Sequence, residues 1–306
     1  MKDETAGDPM TGLKWTRKTT AKIAEELRRL GIDVGPRTVA RLLKQMGYSL
    51  RVNHKNLARV CKTSPEDRNA QFEHIAALRE DFAARRQPCI SVDTKKKELV
   101  GQFKNPGTAW NSAPVEVKDH DFLSEAIGKA VPYGVYDIHA NLGTIFVGTS
   151  RDTAQFAVDS IEMWWRSEGQ YRYPGATDLA ILADGGGANG PNNRSWKLYL
   201  YENLAKPHGL NLTVAHYPPG ASKWNPIEHR LFSEVSKNWA GRPLDSYDTI
   251  LNHIRTTSTA TGLSVRAHLV DHEYETGIKI TDAQMRSLPL VNHRSLPRWN
   301  YTIAMG

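Results

Sequence analysis

The sequence predicts a mixed α/β body, with helices flanking a central sheet, behind a small all-α helix-turn-helix module. Three observations predict it. From residue 89 onward, strand-length apolar runs and helix-length patterns follow the order β, β-hairpin, α, β, α, β, α. Ahead of them stand two short amphipathic stretches joined by a turn bearing glycine. The charge is also uneven: residues 1–60 hold 13 Lys/Arg against 6 Asp/Glu, whereas the remaining residues hold 27 of each. A basic segment ahead of a neutral body suggests a grip on nucleic acid, although a solvated surface would carry charge too.

Taken in order, residues 20–31 predict a first helix, with Ile23, Leu27 and Leu30 on one face, Thr19 or Thr20 as cap and Gly31 as stop. A second helix opens at Pro36, a favoured first-turn residue, and runs to about Met46 before Gly47. Val39, Leu42, Leu43 and Met46 form its expected inner face. Arg37, Thr38, Arg41, Lys44 and Gln45 are left outward as candidate DNA contacts, with Arg37 and Arg41 one turn apart. A plain helical hairpin would show the same periodicity. Ser64-Pro-Glu-Asp67 starts a connecting helix over 61–87.

The body begins with the strand Cys89–Asp93. A hairpin follows, Gly134–His139 and Gly143–Gly148, then a helix from Thr153 to about Ser167. Leu179–Asp184 reads as a buried strand with a glycine-rich exit loop, Gly185–Gly190. A helix over 195–205, a strand over 210–216 and a helix starting near Pro226 complete the body. Beyond 245, Ser246–Thr256 reads as helix and Gly277–Asp282 as a strand leading into a helix start. These boundaries imply a helix-turn-helix module at 1–60, a connecting helix at 61–87, an α/β domain at 88–245 and an extension at 246–306 packed upon it.

Composition narrows the class. The chain has 306 residues, 40% hydrophobic and 24% charged, which suits a globular protein. No run of eighteen apolar residues exists to span a membrane, and the first thirty residues lack the apolar core of a secretory signal. Cys61 and Cys89 lack metal-ligand spacing, so a disulfide scaffold and a zinc ribbon are both disfavoured and a cytoplasmic setting is expected.

Asp93 and Asp184 each end an apolar strand, the place where α/β sheets collect ligands. If the strands are adjacent, their mutual repulsion calls for hard cations. A strand-ending Asp is also an ordinary turn residue. Glu228 falls in the first turn after Asn225-Pro226, where it is equally explained as a capping-box residue at the positive end of the helix dipole. Lys95, Lys96 and Lys97 follow the first Asp and would suit backbone phosphates, or simply a solvated strand end. Asp137 reads as structural and His229 as a surface histidine. His268 and His272 are four apart with no third ligand, and Trp164, Trp165, Trp224 and Trp239 read as core.

Three motifs decide between these readings: Ser-Val-Asp93-Thr-Lys-Lys-Lys-Glu, Ala-Asp184-Gly-Gly-Gly, and Pro-Pro-Gly-Ala-Ser-Lys-Trp-Asn-Pro-Ile-Glu228-His-Arg-Leu-Phe. Together they resemble the DDE triad of bacterial insertion-sequence transposases of the Rhodopirellula type, over residues 12 to about 285. Asn-Pro-x-Glu is similar to a motif of mariner-type relatives. The resemblance implies a ribonuclease-H-like catalytic domain in which Asp93, Asp184 and Glu228 hold Mg²⁺ or Mn²⁺, expected as two ions. It further implies double-stranded DNA as partner, at transposon ends and target, and a homo-oligomer on that DNA. Relatives are expected to carry a further DNA-binding segment upstream, so a truncated or inactive copy is one alternative.

Other readings are a helix-turn-helix regulator without catalysis and a nicotinamide-dependent oxidoreductase. The latter rests on Gly185, Gly187 and Gly190, which match G-x-G-x-x-G. No acidic residue follows about twenty positions on, where Lys206-Pro-His-Gly209 stands. A phosphate-binding G-x-x-x-x-G-K-[ST] is also missing, so a nucleotide cofactor is not expected.

Overall fold

A computed structural model describes residues 5–7, 14–16, 19–48, 63–221 and 224–305. The chain divides into two compact units, Met1–Ala58 and Arg59–Gly306.

In the first unit, β1 (Thr5–Gly7) pairs antiparallel with β2 (Lys14–Thr16). Helices α1 (Thr20–Arg29) and α2 (Pro36–Gln45) follow as the hydrophobic spacing predicts. Thr19 caps α1 by accepting from Lys22 N, and α2 opens on Pro36. Their shared core is Ile23, Ala24 and Val39, with Leu27, Val34 and Leu43 packed around it. The expected inner face of α2 is only partly inside: Val39 is buried, whereas Leu42 is 40% and Met46 69% exposed. Leu30, expected on the inner face of α1, is likewise exposed.

The second unit is built on one mixed sheet. Its first strand, β3 (Cys89–Thr94), is central. On one side β3 pairs antiparallel with β5 (Gly128–Asp137), which forms a hairpin with β6 (Leu142–Gly148). On the other side β7 (Asp178–Ala183) and β8 (Asn211–His216) run parallel to β3. The order β6-β5-β3-β7-β8 is the ribonuclease-H-like core expected from the resemblance. The short strand β4 (Glu98–Val100) pairs with β5.

Residues beyond 245 widen this sheet at both edges. Strand β9 (Ser264–Val270) adds parallel to β6, and β11 (Asn300–Ile303) adds antiparallel to β8, with β10 (Leu290–Asn292) outermost. The strand expected at Gly277–Asp282 is not formed. That stretch is irregular, Ile278 is 41% exposed with no core to alternate against, and Thr281 caps the short helix Asp282–Arg286.

Alternation along β3 sends Ile90 and Val92 to one face, and Ser91 and Asp93 to the other. Against the first face pack α4 (Ala154–Trp164), continued by a wide turn to Arg172, and the helical segment from Arg194 to His208. Trp164 and Trp165 are core there, as expected. The second face is shared. Over β7 and β8 lies α3 (Pro65–Ala84), whose Ile75 and Phe82 meet Ala180, Leu182 and Ala215. The expected connecting helix is therefore a layer of the body, capped at Ser64 through Asp67 N.

Over β5, β6 and β9 lies the helical segment that begins before Glu228 and ends at Asn238, beside the helix Tyr247–Arg255. Two glycines permit its approach. A Cβ on Gly134 would stand 2.6 Å from the Phe232 ring and 2.8 Å from Ile227, and one on Gly143 would stand 2.5 Å from Leu231.

Candidate active site

The two strand-ending aspartates are neighbours. Val92 on β3 pairs with Ala183 on β7, so one residue further Asp93 and Asp184 leave adjacent parallel strands at the same level. This adjacency was the condition that the sequence alone left open. Glu228 arrives from the helix seated on Gly134, and Gly134 is the cross-strand partner of Asp93. Three segments far apart in the chain thus converge at the carboxyl edge of the central strand.

This placement governs the electrostatics. Asp93 is buried, and its carboxyl pKa is pushed up to about 8 by burial and then by the charges of Asp184 and Glu228. Burial likewise raises Asp184 and Glu228, with Lys95 opposing the shift on Glu228. Two backbone donors aim the aspartates: Thr94 N donates to Asp93 Oδ1 at 2.7 Å, and Gly186 N to Asp184 Oδ1 at 3.3 Å.

Sequence reading missed a fourth carboxylate. Asp152 lies just before α4 and acts on both aspartates. It accepts from Thr94 Oγ1 at 3.1 Å and pairs with Lys97 Nζ at 3.0 Å. Its signal in the sequence is masked by Thr153, the cap of α4, beside which an Asp looks like helix-start chemistry. Asp93, Asp184 and Asp152 line one cleft of about 460 Å³ with Lys95, Lys96, Lys97 and Lys129.

The three lysines after Asp93 differ sharply. Lys96 is exposed and 3.7 Å from Glu98. Lys97 is engaged by Asp152. Lys95 is buried, its ammonium 4.3 Å above the Trp239 ring and 3.5 Å from Glu98, and burial lowers its pKa. The solvated-strand-end reading does not hold for Lys95. In the first unit Arg37, Arg41, Lys44 and Gln45 are exposed and Thr38 is half-buried.

The loop after Asp184 is pinned from below. Asn189 is buried, its side chain accepts from Tyr133 Oη at 3.1 Å, and its carbonyl lies 2.8 Å from His216 Nε2. His216 Nδ1 faces the Trp299 carbonyl at 3.0 Å, and burial lowers the ring's pKa to about 4. Of the three glycines that match a dinucleotide fingerprint, Gly187 lines the cleft that also holds Asp93, Asp152 and Asp184.

Asn225 stands where a residue of its type would cap the following helix, but it does something else. Its Oδ1 accepts from Ser91 Oγ on β3, and Ser91 Oγ in turn accepts from Ile227 N at 3.3 Å. Both side chains are fully buried. Among the described residues Asn225 Nδ2 has no hydrogen-bond partner, an arrangement that costs roughly 1–3 kcal/mol.

The remaining candidates are structural. Asp137 is fully buried at the opposite end of the sheet, bound by Arg172 at 3.0 Å and by Tyr173 Oη at 2.9 Å. His268 stacks on Phe146, and His272 meets Tyr274 edge-on. His229 is exposed. Trp239 is core, whereas Trp224 is 47% exposed against Phe72 and Arg68.

The donor set consists of hard carboxylate oxygens, which fits Mg²⁺ or Mn²⁺. Among the described residues, no three acidic, histidine or cysteine side chains stand at the spacing of a closed metal site. The chemistry of the cleft suits a cation, although its carboxylates are not drawn together as a closed coordination shell.

A profile of the family described as the Rhodopirellula transposase DDE domain matches residues 1–305. The chain belongs to that family. No curated protein matches it closely enough to count as a relative. Among solved structures it is similar to the Mos1 transposase paired-end complex with left transposon end, at 14% identity and a TM-score of 0.42. It is similar also to the mariner Mos1 paired end complexes with Mg and with Mn, both at 13% identity, with TM-scores of 0.44 and 0.41. Each likeness covers 76% of this chain and 64% of the Mos1 chain, so the DDE-family chain spans about two thirds of the length of those transposases. No helix among the described residues is long and apolar enough to cross a membrane.

Proposed function

We propose that this chain is a transposase that cleaves phosphodiester bonds at transposon ends and joins the freed strand to target DNA. The observation that carries the proposal is the convergence of Asp93, Asp184 and Glu228 on one edge of the central strand, in a chain matched over nearly its whole length by a DDE family.

Asp93, Asp184 and Glu228 are the residues that would hold Mg²⁺ or Mn²⁺, expected as a pair. Bound there, the ions supply the positive charge that a scissile phosphate and an attacking oxygen need. The chain's own residues do the rest. Asp93 is the most buried of the three, aimed by Thr94 N; Asp184 and Glu228 reach it from two other segments. Lys96 and Lys129, exposed where they line the cleft, are placed to attract the DNA backbone; Lys97 is held by Asp152, and Lys95, fixed over Trp239, offsets part of the acidic charge. Arg37, Thr38, Arg41, Lys44 and Gln45 of the helix-turn-helix are assigned to groove and phosphate contacts on double-stranded DNA. We assign a homo-oligomer on paired ends and a cytoplasmic location on the same reading.

The test is incubation of the full chain with duplexes carrying candidate transposon ends and Mg²⁺ or Mn²⁺, with products mapped to the nucleotide. The expected result is a discrete nick that leaves a 3′-hydroxyl, followed by its joining to a second duplex. A chain that binds the ends tightly and never nicks them would be a DNA-binding regulator instead.

A further inference from the structure

We infer that Ser91 and Asn225 are a positioning pair that holds Glu228 in register with Asp93. This rests on the proposed transposase reading of the same cleft and adds to it two residues that touch neither DNA nor metal.

Ser91 lies two residues before Asp93 on β3, so both side chains leave the same face of the sheet. Its hydroxyl donates to Asn225 Oδ1 and accepts from Ile227 N, and these partners lie three and one residues before Glu228. One hydroxyl on the Asp93 strand thus fastens the start of the Glu228 helix at two points. Asn225 completes the fixture from its own side, because its carbonyl accepts from Glu228 N at 3.1 Å.

The choice of residue argues for position over stability. An Asn ahead of a Pro at a helix start ordinarily turns its side chain back onto its own first turn. Asn225 reaches across to β3 instead, and its buried amide nitrogen finds no acceptor among the described residues. A buried polar group retained at a cost calls for an explanation, and an apolar contact would have tied the same segment down more cheaply. A directional link is what three carboxylates need if they are to meet within a few tenths of an ångström.

The experiment compares wild type with Ser91→Ala, Asn225→Ala, the double variant, Ser91→Thr and Glu228→Gln, all as full chains. Three quantities are read: the melting temperature without metal, Mn²⁺ binding followed by the electron paramagnetic resonance of free Mn²⁺, and the nicking rate at saturating Mn²⁺. Ser91→Ala and Asn225→Ala are expected to weaken Mn²⁺ binding about 10–100-fold and to slow nicking comparably. The double variant should be no worse than either single one, because both remove the same link. Ser91→Thr, which keeps the hydroxyl, should recover most of the loss, and all should melt within a few degrees of wild type. The inference is overturned if the single alanine variants bind Mn²⁺ and nick like wild type. It is equally overturned if their losses multiply in the double variant, or if Ser91→Thr is folded and as impaired as Ser91→Ala. A folded wild type that neither binds Mn²⁺ nor nicks, like Glu228→Gln, would instead overturn the transposase reading, and the pair's role with it.

Discussion

Asp93 stands directly across the sheet from Gly134, and the side chain that Gly134 lacks is the space occupied by Phe232 and Ile227. The position of the third acidic residue is therefore set by a glycine on a neighbouring strand. A methyl group at 134 would meet two fixed apolar side chains of the core, at an expected cost of about 1–3 kcal/mol. Gly134→Ala should remain folded and lose far more nicking activity than stability, since the displaced segment carries Glu228. Thermal melting and end-nicking rates of the same preparation check this.

Asp137 should matter to stability alone. It is fully buried, with Arg172 and Tyr173 as partners, and Arg172 also holds Glu168 at 3.1 Å. Asp137→Ala leaves the guanidinium without one of its two carboxylates, so a loss of about 3–5 kcal/mol is expected in urea denaturation. It lies at the far end of β5 from the cleft, so a folded Asp137→Asn variant should still bind Mn²⁺ as wild type does.

His216 gives a pH dependence of defined sign. Its folded-state pKa is lowered to about 4 from 6.5, chiefly by burial, so between those values the unfolded chain binds the extra proton. Stability should rise from pH 4 to pH 6.5 and be lost as the solution is acidified through that window. The full effect is roughly 3 kcal/mol at 1.36 kcal/mol per unit. His216→Gln, which keeps a donor for the Asn189 carbonyl and does not titrate, should flatten this part of the profile in urea titrations at a series of pH values.

Cys89 should be chemically silent. It is fully buried and its thiol pKa is pushed up to about 12 by desolvation. In a Cys61→Ser background, a thiol reagent at pH 8 should label nothing until denaturant is added. Labelling of the native protein would contradict the packing of α3 on β3.

The helix-turn-helix assignment predicts a salt signature. Arg37→Ala and Arg41→Ala should each weaken end binding, and each should reduce the slope of log affinity against log salt by about 1 if the lost contact is to a phosphate. Fluorescence anisotropy over a range of salt concentrations measures both.

What the sequence made legible follows the range of the interactions involved. Cys89–Asp93, Leu179–Asp184 and the hairpin around Asn141 are continuous apolar runs or local turns, so their pattern survives in one dimension. The same holds for the caps at Thr19, Ser64 and Thr153. Strand β9 was hidden because four of its seven residues are exposed, and β10 and β11 are three and four residues long at an edge. Asp152 and Lys129 entered the cleft through tertiary contacts that no local motif encodes. The role of Asn225 is hidden for a related reason: propensity assigns it to its own helix, and only the fold supplies Ser91 as a competing partner.

The measurement that bears most directly on the central claim compares Asp93→Ala, Asp184→Ala and Glu228→Gln with wild type on end DNA in Mg²⁺ or Mn²⁺, reading DNA binding and strand cleavage side by side. The account predicts that all three variants bind the ends with near wild-type affinity and leave them uncut. Full cleavage by any one of them would contradict it.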